Sequence, residues 1–171
     1  EEGERLVLTN GRVLHGSQFV AQGKRSLPTA YYGRESAIGL AMEHHPRRLA
    51  SHDEESRLRV GVIGLGAGTI AALARPGDSI RFYEINPDVV SIAKRYFTFL
   101  EDTPAAIEIV TGDARVQMEA EAARNQVQRF DILAVDAFSS EAIPIHLLTR
   151  ECLDTYWRHL RPEGLLLFHI S

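Results

Sequence analysis

The stretch Val60–Thr69 constrains this chain more than any other: an apolar run opens directly onto glycines at alternating positions, Gly64, Gly66 and Gly68. Such a run reads as a buried strand entering a turn where backbone must approach another group closely. From Arg59 onward, apolar strands alternate with helical patterns. Strands are predicted at Val60–Leu65, Ile80–Glu84, Ile107–Val110, Ile132–Val135 and Leu165–Ile170. Helices are predicted from the glycine turn to about Arg75, from Asn86-Pro87 to about Leu100, from Asp113 to about Gln126, and from Thr149 onward. Strand–helix alternation of this kind implies an α/β domain, a parallel sheet with crossover helices. Ile132–Val135 is wholly apolar and so belongs in the sheet interior. Two helical stripes are expected to face the core: Val89, Ile92, Ala93, Tyr96, Phe97 and Leu100 in one helix, and Leu153, Tyr156, Trp157 and Leu160 in another. Arg161–Gly164 reads as a turn into the last strand.

The first fifty residues follow a different pattern. Leu6–Leu8 and Val13-Leu14 flank Asn10-Gly11, a type I′ hairpin signal because both central residues need φ > 0. A further extended piece, Gln18–Ala21, precedes a helix from about Gly33 to Leu49 that turns Ile38, Ala41, Met42 and His45 to one side. Ser51–Arg59 is polar and reads as a surface connection. The expected division is therefore 1–50, a hairpin and helix region, and 51–171, the α/β domain. At 171 residues the chain is long enough to bury roughly 70% of its unfolded surface. Its net charge of −4 argues against a nucleic-acid or anionic-membrane surface. The single cysteine, Cys152, excludes an internal disulfide and suggests a cytoplasmic packing residue. The longest uncharged run, Val60–Ala74, is 15 residues with four glycines, too short and broken to span a bilayer. The absence of an initial Met suggests an excised fragment. The apolar run ending at Ser171 is expected to meet further strands or a second copy, which predicts a homo-oligomer.

In open α/β sheets, ligands bind outside the carboxyl ends of the strands. There the sequence places the glycine turn, then Glu84, then Gly112-Asp113, then Asp136. Glu84 lies 20 residues beyond Gly64, the place for a carboxylate on ribose hydroxyls. Asp113 alone is a helix cap and Asp136 alone a loop acid, but four polar features at four successive strand ends point to a nucleoside site. The dinucleotide fingerprint G-x-G-x-x-G fails at Thr69, which favours an adenosyl sulfonium over a nicotinamide cofactor.

At these residues the chain resembles the spermidine synthase group of polyamine aminopropyltransferases, which share the Rossmann-like fold of S-adenosylmethionine-dependent methyltransferases. Gly64-Leu65-Gly66-Ala67-Gly68-Thr69 stands where the family has G-G-G-D-G-G, Glu84-Ile85-Asn86 where it has E-I-D, Gly112-Asp113 where it has G-D, and Asp136-Ala137-Phe138-Ser139-Ser140 where it has D-S-S-D-P. The resemblance implies that Gly64, Gly66 and Gly68 bind the donor, that Glu84 holds its ribose, and that Asp113 meets the adenine amino group. It implies that Asp136 is the catalytic acid beside the reacting amine and that Tyr32 contacts the acceptor, with Glu141 expected to replace the family's second acid there from a different position. The donor would be decarboxylated S-adenosylmethionine or S-adenosylmethionine, with a small amine as acceptor and no metal.

The family's acid in the glycine turn is Ala67 here, and the second acid of D-S-S-D-P falls on Ser139. The variant resembles spermidine synthase-like domains fused to membrane-spanning transporter-like segments, which implies a tether outside this chain. Methyl transfer and non-catalytic nucleoside sensing are the rival readings. His44-His45 and His52-Asp53 read as surface groups rather than metal ligands, and His15 as a neighbour of the site.

Overall fold

The computed structural model describes residues 3–11, 13–50, 56–137 and 144–169. Two strands, β1 (Arg5–Asn10) and β2 (Val13–Phe19), pair antiparallel with Asn10 opposite Val13. The two-residue connection therefore starts at Gly11, whose φ is +60°, one position later than the Asn10-Gly11 expectation. Of the piece predicted at Gln18–Ala21, Gln18 and Phe19 are the end of β2, and Val20 and Ala21 lie beyond it.

A single helix over 33–49 does not form. A 3₁₀ turn at Ala30–Tyr32 precedes α1 (Ala37–His44) and α2 (Pro46–Ala50). Pro46 disfavours helical backbone at His45, which is extended at φ −54°, ψ 136°. That kink turns His45 inward to 2% exposure, which overturns its reading as a surface group; His44 is exposed as expected. His52 and Asp53 lie outside the described residues.

The main sheet contains β3 (Arg59–Ile63), β4 (Ser79–Glu84), β5 (Ala106–Thr111), β6 (Phe130–Val135) and β7 (Leu160–Phe168), in the order β5-β4-β3-β6-β7. Every pairing is parallel. Leaving β3 in both directions, the order reverses between β3 and β6, and that switch point opens a crevice at the strands' carboxyl ends. β6 is buried along its whole length, as an interior strand must be. The Arg161–Gly164 turn is absorbed into β7 as an irregularity: Phe130 faces Leu160, but Ile132 faces Leu165.

The remaining helices are shorter than the sequence suggests. After β3 there is only a 3₁₀ segment, Thr69–Leu73, between the left-handed Gly68 and the Pro76-Gly77 turn. The predicted Asn86–Leu100 helix divides into α3 (Pro87–Tyr96) and α4 (Phe99–Asp102). The break has a tertiary cause. Gln18 on β2 accepts the Thr98 N–H at 3.0 Å and donates to the Thr98 hydroxyl at 2.9 Å. Then come α5 (Ala114–Ala123), a 3₁₀ turn at Ile145–Leu147, and α6 (Arg150–His159). The buried face of α6 is Cys152, Thr155, Tyr156 and His159, one step round from the predicted stripe, so Trp157 is 56% exposed. His159 tolerates burial because both ring nitrogens are engaged: Gln128 N–H donates to Nδ1, and Nε2 meets the Met118 carbonyl at 2.9 Å. Tyr96, also expected in the core, is 54% exposed. Among the described residues no helix is long and apolar enough to cross a membrane.

Candidate active site

A cavity of about 530 Å³ lies at the carboxyl ends of β3, β4, β5 and β6, with the hairpin and the Tyr31-Tyr32 turn along one wall. Its size suits a nucleoside-sized ligand. Four carboxylates line it, Glu84, Asp88, Asp113 and Asp136, and no Lys or Arg does among the described residues. Such a lining attracts cations.

The glycine turn is shaped by protein packing as much as by any ligand. Gly64 has φ +103°, and a Cβ there would stand 2.4 Å from the Asp136 carbonyl oxygen. Gly66 has φ +53°, and a Cβ would stand 2.3 Å from the His15 carbonyl oxygen. That carbonyl accepts the Ala67 N–H at 3.2 Å, so the hairpin is seated on the turn. The partner surface is Gly16, where a Cβ would meet the Ala67 methyl at 2.6 Å. Gly64 and Gly66 line the cavity, whereas Gly68 stands against Leu100 and does not. Ala67 is 1% exposed, packed with Phe97 and Phe99, and is likewise outside the lining. Replacing Gly66 with Ala must push the hairpin away. The expected loss is about 1–3 kcal/mol of stability, read by thermal denaturation; an unchanged melting temperature would contradict this seating.

Glu84 ends β4 and is 7% exposed. Its Oε2 accepts the Leu65 N–H at 2.9 Å and its Oε1 the Asn86 N–H at 2.8 Å. The carboxylate thus joins the glycine turn to the start of α3, and each oxygen keeps a lone pair free. Asp113 is both the cap and the cavity acid that the sequence left open. Its Oδ1 accepts the Val116 N–H at 3.0 Å, and its Oδ2 lies 2.8 Å from His146 Nε2. Burial alone would raise its pKa, but the Val116 N–H and His146 outweigh it and hold the carboxyl below its ordinary value.

Asp136 follows β6, with its N–H donated to the Ile63 carbonyl at 2.8 Å. The Tyr32 hydroxyl donates to Asp136 Oδ2 at 2.5 Å. Burial pushes the Asp136 pKa up to about 7, against the opposing effect of the Tyr32 hydrogen bond. Burial and the Asp136 charge together drive the Tyr32 phenol far up, so it stays a donor. The structure therefore brings Gly64, Gly66, Glu84, Asp113, Asp136 and Tyr32 to one cavity, with His15 beside them. Glu141, with Phe138, Ser139 and Ser140, lies outside the described residues. The cavity residues that the sequence does not single out include Asp88, His146, and His169 at the carboxyl end of β7. The strand-end rule that selected the other four positions also applies to His169.

The chain is 38% identical over 138 residues to a polyamine aminopropyltransferase of Vibrio vulnificus (strain CMCP6), covering 79% of this chain and 41% of that protein. It is 25% identical over 171 residues to a probable polyamine aminopropyl transferase of Bifidobacterium longum (strain NCC 2705), covering 98% of this chain and 33% of that protein. It thus spans less than half the length of either relative. Among solved structures, a probable spermidine synthase from Corynebacterium glutamicum ATCC 13032 superposes with a TM-score of 0.62 at 24% identity, covering 98% of this chain and 62% of that one. A SAM-dependent methyltransferase from Agrobacterium tumefaciens superposes with a TM-score of 0.54 at 18% identity, covering all of this chain and 55% of that one. No family model matches. The fold is the Rossmann-like α/β fold that both structures share.

Proposed function

We propose that this chain transfers an aminopropyl group from decarboxylated S-adenosylmethionine to a small amine. The observation that carries the reading is the lining of the cavity, four carboxylates without a Lys or Arg among the described residues. A sulfonium donor and an ammonium acceptor are both cations, and such a site lowers the free energy of each. Methyl transfer from S-adenosylmethionine is the second reading, in keeping with the likeness to a methyltransferase fold. It would bring the methionine carboxylate among like charges with no Lys or Arg among the described lining residues to pair it, which favours the decarboxylated donor.

In this reading Glu84 accepts from the ribose hydroxyls with the lone pairs its backbone partners leave free. Asp113 accepts from the adenine amino group, and Gly64 and Gly66 shape the wall. Gly68 acts indirectly by holding the turn. Asp136 orients the amine and takes its proton, with Tyr32 fixing the carboxylate. The amine nitrogen bonds to the propyl carbon next to sulfur, the carbon–sulfur bond breaks with its electron pair going to sulfur, and methylthioadenosine leaves. No metal takes part in these steps. Glu141 contacts the acceptor. Region 1–50 supplies Tyr32 and His15 to the site built by 51–171. The apolar strand β7 at the sheet edge supports pairing with further strands or a second copy. A membrane tether outside this chain rests on the sequence resemblance alone.

Glu84→Ala tests the donor site. Losing charge-assisted hydrogen bonds costs roughly 1.5–3 kcal/mol, so methylthioadenosine affinity should fall by about 10- to 150-fold in calorimetry. Affinity at the wild-type level would refute the site.

A further inference from the structure

We infer that His146 is a positioning residue for the donor's purine: it aims the Asp113 carboxylate at the 6-amino group. The inference rests on the proposed adenosine site, with Asp113 at the purine, and not on which group is transferred. His146 Nε2 lies 2.8 Å from Asp113 Oδ2, and both residues line the cavity. An ionised carboxylate only accepts, so Nε2 carries the hydrogen. The imidazole is not what seats its own turn. The His146 carbonyl accepts from Arg115 Nη1 at 3.1 Å, and the carbonyl of buried Leu147 accepts the Tyr156 hydroxyl at 3.1 Å. Side chains of α5 and α6 thus fix this backbone, and the imidazole is left to act on Asp113. Arg115, next to Asp113 on α5, pairs with Glu119 at 2.7 Å, so its guanidinium is engaged elsewhere.

Asp113 needs such a partner. Its Oδ1 is held by the Val116 N–H, but one bond leaves the carboxylate free to tilt about that contact. His146 pins the second oxygen, which keeps a lone pair for a ligand. A pair as exposed as this one adds little to stability, so its effect falls on recognition. A purine seated over Asp113 strips water from the carboxylate, which pushes its pKa up. The Val116 and His146 donors oppose that shift and keep the group ionised. An ionised carboxylate accepts from a 6-amino group, whereas a 6-oxo or 6-unsubstituted purine offers it no hydrogen at that position.

The test titrates methylthioadenosine, and its analogue with hydrogen in place of the 6-amino group, into the full chain by calorimetry. The wild-type protein should prefer the amino form by about 10- to 150-fold, the worth of a charge-assisted hydrogen bond. In His146→Ala that preference should shrink by about 2- to 10-fold, while affinity for the analogue holds. His146→Gln, whose amide nitrogen donates, should restore most of the preference. Equal losses for both ligands in His146→Ala would mark a merely structural turn and overturn the role. So would an unchanged preference. Wild-type protein that binds both ligands alike would overturn the placement of Asp113 at the amino group, and this role with it. Binding of neither would overturn the adenosine site itself and everything that rests on it.

Discussion

Asp136→Asn should lower single-turnover aminopropyl transfer by about 10²–10⁴, the usual worth of a positioned base, with methylthioadenosine binding little changed. Asn keeps the shape and still accepts from the Tyr32 hydroxyl, but it cannot take a proton. In the proposed reading the nucleoside is held elsewhere in the cavity, by Glu84 and Asp113. The wild-type rate should rise as pH passes about 7, where the Asp136 carboxyl ionises. The same shift has a consequence for stability. The folded protein holds this proton to higher pH than the unfolded chain, so between about pH 4 and 7 the native state binds more protons and stability falls as pH rises. Asp136 is only half-buried, which reduces the effect to about 1–3 kcal/mol. Asp136→Asn should lack that decline in thermal melts at pH 5 and pH 8, and equal pH dependence in the two proteins would contradict the raised pKa.

Arg48→Ala should be the most destabilising single change away from the cavity, at about 3–5 kcal/mol. Arg48 on α2 forms a buried ion pair with Asp78, both side chains almost wholly sequestered from solvent. Asp78 also accepts the Leu58 N–H at 2.9 Å and the Arg75 N–H at 2.8 Å, so it ties the entry of β3 to the turn before β4. Removing Arg48 leaves a buried carboxylate held by the Leu58 and Arg75 backbone N–H groups, without its buried guanidinium partner. Denaturant melts of Arg48→Ala and of Arg48→Met with Asp78→Asn separate the two contributions. The double variant should be less destabilised than Arg48→Ala, because no unpaired charge remains. An Arg48→Ala melt close to wild type would show that the pair contributes nothing net.

The parts of this fold legible in the sequence are those with local causes. Asn86, Asp113 and Thr149 were readable as helix starts, and each side chain accepts an N–H of the first turn, from Asp88, Val116 and Cys152 respectively. The five sheet strands were readable from their apolar runs, and four of the cavity's polar positions followed from the strand-end rule. Features set by distant partners were not readable. Gln18 ends α3 from 80 residues away, and nothing near Thr98 announces it. Gly16 and Ala67 need one another to be small, but each looks ordinary alone. The α6 face was misplaced by one step because buried His159 and Thr155 are polar, and their partners come from elsewhere or from the helix backbone. The Arg161–Gly164 turn signal was real but is spent as a bulge within β7. His169 is not legible because it sits inside the apolar run Leu165–Ile170, which hides that the strand ends at Phe168.

The most direct test of the central claim is a single-turnover incubation of the chain with decarboxylated S-adenosylmethionine, carbon-labelled in the propyl group, and 1,4-diaminobutane. The same reaction is run with methyl-labelled S-adenosylmethionine, and the amine products are weighed by mass spectrometry. The account predicts label in the amine and release of methylthioadenosine from the decarboxylated donor, with little transfer from the other. Methyl label in the amine with no aminopropyl product, or no transfer from either donor across a panel of amines, would contradict it.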